Sequence, residues 1–327
     1  MEYVNFGSAG IKVSPLAVGM GLRGQDDEKH AQLMIEHALH CGINLIDCAN
    51  VYGTLDQLEN AGQSETILGR TLKGRRDKVV ITSKVASRMG PGPNDAGLSR
   101  AHIMREIENS LRRLQTDYID VYLVHVFDSA TPLEETINAL DDLVRSGKVR
   151  YIGCCNFAAW QGCKALWIAN DHNAVPFMTI QNHYSLISRQ LEQEMFGLVR
   201  DQGLGAMAYS PLGVGLLSGA YVAGREAPKG TLWATRLANE YDRVMKGPAG
   251  NVISTLTRLA NEIDKSPAQL ALAWVLSHPE ISVAISGSDS IEQIDDVIGA
   301  VGWTLEDAIL QQLDDCSDYF KRCSWET

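Results

Sequence analysis

Apolar and polar positions follow two alternating patterns along almost the whole chain. Longer segments such as 27–42, 99–115 and 132–148 place apolar residues three or four positions apart, which predicts helices with one buried face. Between them lie short runs rich in Val, Ile and other apolar residues, which predict buried strands. These runs occupy residues 16–21, 44–50, 78–85, 119–125, 149–156, 177–184, 205–213 and 282–287.

Strands that alternate with helices are expected to pair in parallel, because each helix returns the chain to the same edge of the sheet. An open doubly wound sheet and a closed barrel both satisfy this pattern. A dinucleotide-binding doubly wound sheet needs Gly-x-Gly-x-x-Gly after its first strand. We interpret the glycines of Gly19–Gln25 as lacking the right spacing for that pattern, which disfavours the doubly wound sheet. Eight strand patterns favour an α/β fold of the (β/α)8 TIM barrel type. We expect one domain over residues 1–327, with an N-terminal β-hairpin that turns at Ser8–Gly10.

Two helix starts and one loop add detail. Thr131, Pro132 and Glu134 have the spacing of a capping box with proline at the first helical position. Ser266-Pro267 repeats the arrangement before the last long apolar helix pattern. The segment 213–250, after the seventh barrel strand, is too long for an ordinary connection, so we expect an active-site lid or a partly disordered segment.

Composition narrows the classes of function. Of 327 residues, 45% are hydrophobic and 21% charged, which excludes intrinsic disorder. The net charge of −11 argues against non-specific binding to nucleic acid or acidic membranes. Seven cysteines without metal-binding spacing suggest reduced thiols and no metal. The start of the chain lacks a secretory pattern, and we expect a cytoplasmic protein.

Ionisable residues follow three neighbouring strands at the ends that would face the mouth of a barrel, where catalysis takes place. Asp47 and Tyr52 follow the second strand, Lys84 ends the third, and His125 ends the fourth. Each has a structural alternative on its own: a helix cap for Asp47, an exposed strand end for Lys84, a core histidine for His125. The combination is what indicates a site.

This combination suits a phenol that moves a proton. A nearby Lys84 ammonium, held by Asp47, would lower the pKa of Tyr52 from its usual value of about 10. His125 would donate a hydrogen bond to a carbonyl oxygen on which negative charge develops. Such a site fits hydride transfer between an aldehyde or ketone and its alcohol, with Tyr52 as general acid or base. The hydride requires a nicotinamide cofactor, NAD(P)(H).

Ordered motifs over residues 3–300 resemble the aldo-keto reductase superfamily, nearest its bacterial sugar-aldehyde, aryl-alcohol and potassium-channel-β-like branch. The motifs are INLIDCANVYG (43–53), VVITSKV (79–85), IDVYLVH (119–125), GKVRYIGCCNF (147–157), IQNHYSLISR (180–189) and GLGAMAYSPLGVGLLSG (203–219). The resemblance implies a barrel that binds an extended nicotinamide dinucleotide, with the family's tetrad on Asp47, Tyr52, Lys84 and His125. The branch contains tetramers and octamers, so a homo-oligomer is one expectation.

The resemblance also implies cofactor contacts. Asn156 and Gln181 would hold the nicotinamide amide, Tyr209 would stack on its ring, and Ser210, Pro211 and Leu212 would follow the pyrophosphate. Gly287, Gln293 and Asp296 would lie on the adenosine side. The full set of expected cofactor contacts is Gly19, Met20, Asp47, Cys155, Asn156, Gln181, Tyr209, Ser210, Pro211, Leu212, Gly287, Asp289, Gln293 and Asp296.

Departures from the family pattern bear on cofactor choice. Ala220 replaces a frequent lysine, and Ser288, Asp289 and Ser290 stand where many relatives carry a base that grips the 2′-phosphate of NADPH. The family favours NADP(H), whereas a carboxylate repels a 2′-phosphate and can accept a hydrogen bond from a ribose hydroxyl. We therefore expect NAD(H) or dual use, with Arg236 as the first candidate phosphate contact if NADPH is preferred.

The substrate pocket is the least specified part. Tyr52, His125 and Trp233 are expected to contact a small carbonyl or alcohol substrate, while Trp160 and Trp325 are expected to pack in the structure. Two alternatives stay open: a sugar or polyol dehydrogenase that works in the oxidative direction, and a cofactor-binding redox sensor that regulates a partner.

Overall fold

Parallel strands form the centre of the computed structural model, which describes residues 1–21, 27–54, 57–222 and 224–325. The chain starts with the antiparallel hairpin strands β1 (Val4–Asn5) and β2 (Lys12–Val13). Within the described residues, eight parallel strands then close into a barrel in chain order, with the last paired to the first. They are β3 (Leu16–Gly19), β4 (Leu45–Asp47), β5 (Val80–Val85), β6 (Ile119–Val124), β7 (Val149–Cys155), β8 (Thr179–His183), β9 (Gly205–Tyr209) and β10 (Ile281–Ser286).

The barrel and the hairpin confirm the expected fold, and each predicted apolar run overlaps one barrel strand. The expected lack of glycine spacing in the segment Gly19–Gln25 needs one correction; residues 22–25 of this segment lie outside the described part of the chain. Its sequence GMGLRG, residues 19–24, does match the letters of Gly-x-Gly-x-x-Gly. The closed order of the strands, rather than glycine spacing, is what separates this fold from a doubly wound sheet.

Helices surround the strands and bury one face each. In the third of them, Ile103, Ile107, Leu111 and Leu114 recur at helical spacing and are all buried. The helices are α1 (Glu28–His40), α2 (Gln63–Thr71), α3 (Arg100–Leu114), α4 (Leu133–Arg145), α5 (Ala159–Asp171), α6 (Met195–Gln202), α7 (Ala238–Lys246), α8 (Pro248–Glu262), α9 (Pro267–Leu276), α10 (Ile291–Ile298) and α11 (Asp307–Ser317). Within the described part of the chain, no helix is both long and apolar enough to cross a membrane.

The N-terminal hairpin contributes to the inside of the barrel. Phe6 follows β1, is fully buried, and joins an interior cluster that includes Leu45, Val121 and Met207. A Cβ at Gly205 would lie 2.6 Å from the Phe6 ring, so the ring occupies space that only glycine leaves open. The hairpin therefore belongs to the core.

One predicted cap is confirmed and the other is wrong. The Ser266 hydroxyl accepts the Gln269 N–H at 3.0 Å, and the Gln269 side chain accepts the Ser266 N–H at 3.2 Å, which makes a capping box at α9. Thr131 does not cap α4, because the helix begins at Leu133 and Pro132 stands at its N-cap; the Thr131 hydroxyl donates instead to Asp128 Oδ2 at 2.7 Å.

The long connection after β9 is folded where it is described. It contains 3-10 turns at Leu216–Ser218 and Leu232–Ala234 and the helix α7. Trp233 anchors it: the indole is fully buried, donates to the Val214 carbonyl at 2.9 Å, and packs edge-on against Trp325. Of the two expectations for this segment, disorder is wrong for its described residues.

Candidate functional site

The four predicted ionisable residues meet at the carboxyl end of the barrel. Asp47 ends β4, Lys84 is the penultimate residue of β5, and His125 follows β6. Lys84 Nζ lies 2.7 Å from Asp47 Oδ2 and 3.3 Å from the Tyr52 hydroxyl oxygen. The rings of Tyr52 and His125 meet edge-on with centroids 5.6 Å apart. The expectation that separate strands bring these groups together agrees with this geometry.

The charged pair beneath the site is almost sealed from water. Lys84 is fully buried and Asp47 is 3% exposed. Lys84 also donates to the Cys48 carbonyl at 2.9 Å, while Asp47 Oδ1 accepts from the Thr82 hydroxyl at 2.5 Å and from Gln181 Nε2 at 2.8 Å. Burial works against the Lys84 ammonium, but the charge and hydrogen bond of Asp47, together with Tyr52 and Cys155, outweigh it, so the pKa of Lys84 lies above its ordinary value.

Tyr52 differs from the expectation in the direction of its pKa. Burial raises the pKa of the phenol, and although Lys84 acts to lower it, the net direction is upward. Burial outweighs the ammonium because the phenolate is poorly solvated there. Tyr52 is therefore a protonated phenol at neutral pH, and since Lys84 donates to its oxygen, its own O–H can donate elsewhere.

His125 is a neutral imidazole in this environment. Burial and the nearby Lys84 charge lower its pKa to about 3. Among the described residues its buried Nδ1 has no hydrogen-bond partner. A neutral ring beside the Tyr52 phenol can orient a polar oxygen without adding a second positive charge.

Two neighbours of the site were not anticipated. Thr82 donates to Asp47, and the His183 ring stacks on Tyr209 with centroids 5.3 Å apart. The two-residue period of a strand could have identified both. Thr82 lies two positions before Lys84, and His183 lies two positions after Gln181, so each shares a strand face with a predicted site residue.

The expected nicotinamide contacts lie on three adjacent strand ends. The Tyr209 hydroxyl donates to Asn156 Oδ1 at 2.8 Å, and Asn156 Nδ2 donates to the His125 carbonyl at 3.0 Å. Asn156 takes φ of 57°, the left-handed region that asparagine tolerates better than most residues. Gln181 donates to Asp47, and Cys155 is fully buried beside them. One hydrogen-bonded set thus joins the tetrad to Asn156, Gln181 and Tyr209.

The remaining cofactor positions lie on the ends of β3 and β9 and near the start of α10. Gly19 ends β3, Met20 is buried and donates its N–H to the Asp47 carbonyl, and Ser210, Pro211 and Leu212 follow β9. A Cβ at Gly287 would meet nothing within 4 Å. Gln293 accepts the Asp289 N–H at 2.8 Å, and the Asp296 carboxylate accepts from Ser266 and Gln269. Those two side chains make protein contacts in this structure.

The residues present fit a nicotinamide dinucleotide. Side-chain amides at 156 and 181 and the aromatic ring of Tyr209 lie at adjacent strand ends beside the phenol. Amides can hold a carboxamide, and an aromatic face can stack on a flat ring. The open space at Gly287 lets another group approach the backbone closely.

The three tryptophans considered in the sequence analysis differ in how far they are buried. Trp233 is fully buried and packs on Trp325, so in this structure it supports the connection after β9 and presents no surface to a substrate; we therefore withdraw it as a substrate contact. Trp325 is 8% exposed, in line with a packing role. Trp160, expected to pack, is 59% exposed and touches Phe127 edge-on.

Comparison with known proteins identifies the family that the chain matches. The model of the "Aldo/keto reductase family" matches residues 15–318. The chain is 40% identical over 323 residues to "Uncharacterized oxidoreductase YrpG" of Bacillus subtilis (strain 168), which covers 96% of this chain and 95% of the relative. It is 34% identical over 300 residues to "Probable voltage-gated potassium channel subunit beta" of Oryza sativa subsp. japonica, covering 90% and 89%. It is 33% identical over 316 residues to "Aldo-keto reductase YhdN" of Bacillus subtilis (strain 168), covering 93% and 90%.

Proposed function

Since the chain belongs to the aldo/keto reductase family, we propose that it is an NAD(P)-dependent oxidoreductase that interconverts an aldehyde or ketone with its alcohol. The observation that carries the proposal is the buried chain from Asp47 through Lys84 to the Tyr52 hydroxyl. It ends in one proton-bearing group at the mouth of the barrel, beside a neutral imidazole.

The residues divide the work of reduction among them. When bound, the cofactor supplies the hydride. Tyr52 holds a proton on its oxygen and donates it to the carbonyl oxygen as that atom becomes an alkoxide. Lys84 stabilises the phenolate left behind, and Asp47 fixes the ammonium in place. His125 and Tyr52 orient the carbonyl oxygen. In the oxidative direction the Tyr52 phenolate accepts the proton.

Replacing Tyr52 with phenylalanine tests this role. We expect Tyr52→Phe to lower turnover on a panel of aldehydes and ketones by about 10²–10⁴-fold, because only the transferable proton is lost. Cofactor affinity, measured by calorimetric titration, should stay the same. Tyr319→Phe, which makes the same change on a 58%-exposed ring, is the control and should leave both quantities unchanged. Unchanged turnover in Tyr52→Phe would remove Tyr52 as the acid.

The direction of the reaction and the cofactor are linked parts of the proposal. Asp289 lies two residues beyond Gly287, where its carboxylate would repel a 2′-phosphate, which supports NAD(H) or dual use. Paired titrations with NADH and NADPH should give NADH an affinity equal to or higher than that of NADPH, and Asp289→Asn should shift the ratio towards NADPH. A hundredfold preference of the unaltered protein for NADPH would contradict this expectation. NADH preference would make oxidation of sugars and polyols the first assay.

A second function has one supporting observation. The chain is similar to a protein named as a probable potassium channel β subunit, which favours a cofactor-binding regulatory subunit as the alternative. The Tyr52→Phe experiment separates the two: a regulator would bind the cofactor tightly with negligible turnover in both forms of the protein.

A further inference from the structure

A group of metal-binding side chains lies on the outer helices, separate from the tetrad at the barrel mouth. His37 and Cys41 are four residues apart along α1 and its C-cap, so they lie on the same face of that helix. Asp295 comes from α10, which packs against α1. Among the residues that the structure describes, this is the one group of three such side chains whose ligand atoms all lie within 4.8 Å of one another.

The distances come close to those of a tetrahedral metal site. Cys41 Sγ lies 3.6 Å from His37 Nε2. With metal–sulfur and metal–nitrogen bonds of about 2.3 and 2.0 Å, two tetrahedral ligands of these kinds stand about 3.5 Å apart. His37 Nε2 and Asp295 Oδ1 are 2.6 Å apart, so this contact must open by about 0.7 Å to place both on one ion. Both side chains are partly exposed, at 26% and 57%, which leaves them room to rotate.

The ligand types select the class of ion. A thiolate and an imidazole with one carboxylate suit Zn²⁺ and Co²⁺, whereas Mg²⁺ and Ca²⁺ prefer oxygen ligands throughout. Three protein ligands leave a fourth position for water. We propose that His37, Cys41 and Asp295 form a binding site for a Zn²⁺-class ion that links α1 to α10.

A bound ion would connect two helices that already meet at another point. The His30 ring, about two helical turns before His37 on α1, contacts the Asp289 carbonyl at 3.0 Å just before α10 begins. An ion held by His37, Cys41 and Asp295 would add a second link between α1 and α10. Because an ion that binds only the folded protein stabilises it, thermal unfolding should move to higher temperature as Zn²⁺ is added.

Cobalt provides the direct test, because a Co²⁺–thiolate bond gives an ultraviolet charge-transfer band. The full-length reduced protein should bind about one equivalent of Co²⁺ with that band, and Zn²⁺ should displace it. Cys41→Ser should abolish the band, and His37→Ala and Asp295→Asn should each weaken Co²⁺ binding at least about tenfold. Cys163→Ser removes an exposed thiol elsewhere and is the matched control, expected to bind like the unaltered protein.

Three results would overturn the proposal. The first is no saturable Co²⁺ or Zn²⁺ binding at millimolar concentration. The second is a thiolate band that survives in Cys41→Ser. The third is unchanged affinity in Asp295→Asn, which would leave α10 outside the site. None of these readouts involves turnover, so the proposed function can fail independently.

Discussion

The Lys84–Asp47 pair shows how a charge at the proposed active site is kept in the interior. Both groups have lost almost all contact with water, and their 2.7 Å contact offsets that loss. Further hydrogen bonds hold both groups in place: the ammonium donates to the Cys48 carbonyl and the Tyr52 hydroxyl, and the carboxylate accepts from Thr82 and Gln181. A pair held in this way cannot relax when one member is removed.

Lys84→Met should therefore destabilise the fold strongly. We expect a loss of about 3–5 kcal/mol in the free energy of unfolding, because the buried Asp47 carboxylate loses the positive charge that compensates its own. Lys246→Met is the matched control, since its ion pair with Asp242 is 77% exposed on both sides and should contribute less than about 1 kcal/mol. Urea unfolding of both variants makes the comparison.

A double variant separates the lost charge partner from lost packing. Asp47→Asn combined with Lys84→Met removes both charges, so it should recover part of the stability lost in Lys84→Met alone. If the double variant lost the sum of the two single losses, the buried charge would not be the cause.

The meeting of the four tetrad side chains could be predicted from the sequence, because position along a parallel strand sets which end of the barrel a side chain reaches. The direction of the Tyr52 pKa was not predictable. It depends on how completely the ring is buried, and that follows from packing of distant segments rather than from the neighbours in sequence.

Two helices with similar starting sequences differ in whether the predicted residue caps them. Thr131-Pro132 and Ser266-Pro267 look alike in sequence, yet only Ser266 caps its helix. The difference lies in where each helix begins: Pro132 is itself the N-cap of α4, whereas Pro267 is the first residue of α9 and leaves Ser266 at the N-cap. A hydroxyl that donates to a carboxylate can still cap, since Ser266 also donates to Asp296 Oδ2 at 3.0 Å. The residue at which the helix begins decides the cap, and spacing alone does not give that residue.

Ser266→Ala should reveal the value of the cap that did form. We expect a loss of about 1 kcal/mol in the free energy of unfolding, since the N–H of Gln269 loses its acceptor at the start of α9. Ser254→Ala is the control within α8, where the hydroxyl donates back to Gly250 and alanine is the better helix former. Its midpoint in urea should stay the same or rise slightly; equal losses in the two variants would contradict the capping argument.

Across the whole molecule, the count and alternation of the apolar runs were enough to predict the barrel. Eight short strands separated by helices leave few closed arrangements, and the hydrophobic pattern does not depend on distant contacts. Trp233 could not be placed in the same way. Its indole is buried because the chain after β9 folds back over it and meets Trp325 from the far terminus, a contact between segments that no local pattern encodes.

The hairpin end of the barrel contributes to stability and lies away from the proposed chemistry. The tetrad stands at the carboxyl ends of the strands, whereas Phe6 enters from the hairpin, whose Ser8 N–H donates to the Gly203 carbonyl just before β9 begins. In (β/α)8 barrels the catalytic residues stand at the carboxyl ends of the strands, and residues at the amino ends contribute to stability alone. A substitution at Phe6 should accordingly affect one property without the other.

Phe6→Ala should cost about 3–5 kcal/mol in the free energy of unfolding, because it empties a fully buried site against the Gly205 backbone. Phe6→Leu fills much of the same volume and should cost less than about 1.5 kcal/mol, so the two variants form a graded series. Urea midpoints measure the series, and cofactor affinity is measured at a temperature where both variants are fully folded. If cofactor affinity fell together with stability at that temperature, the hairpin would be coupled to the mouth of the barrel. The claim that Phe6 contributes to stability alone would then be wrong.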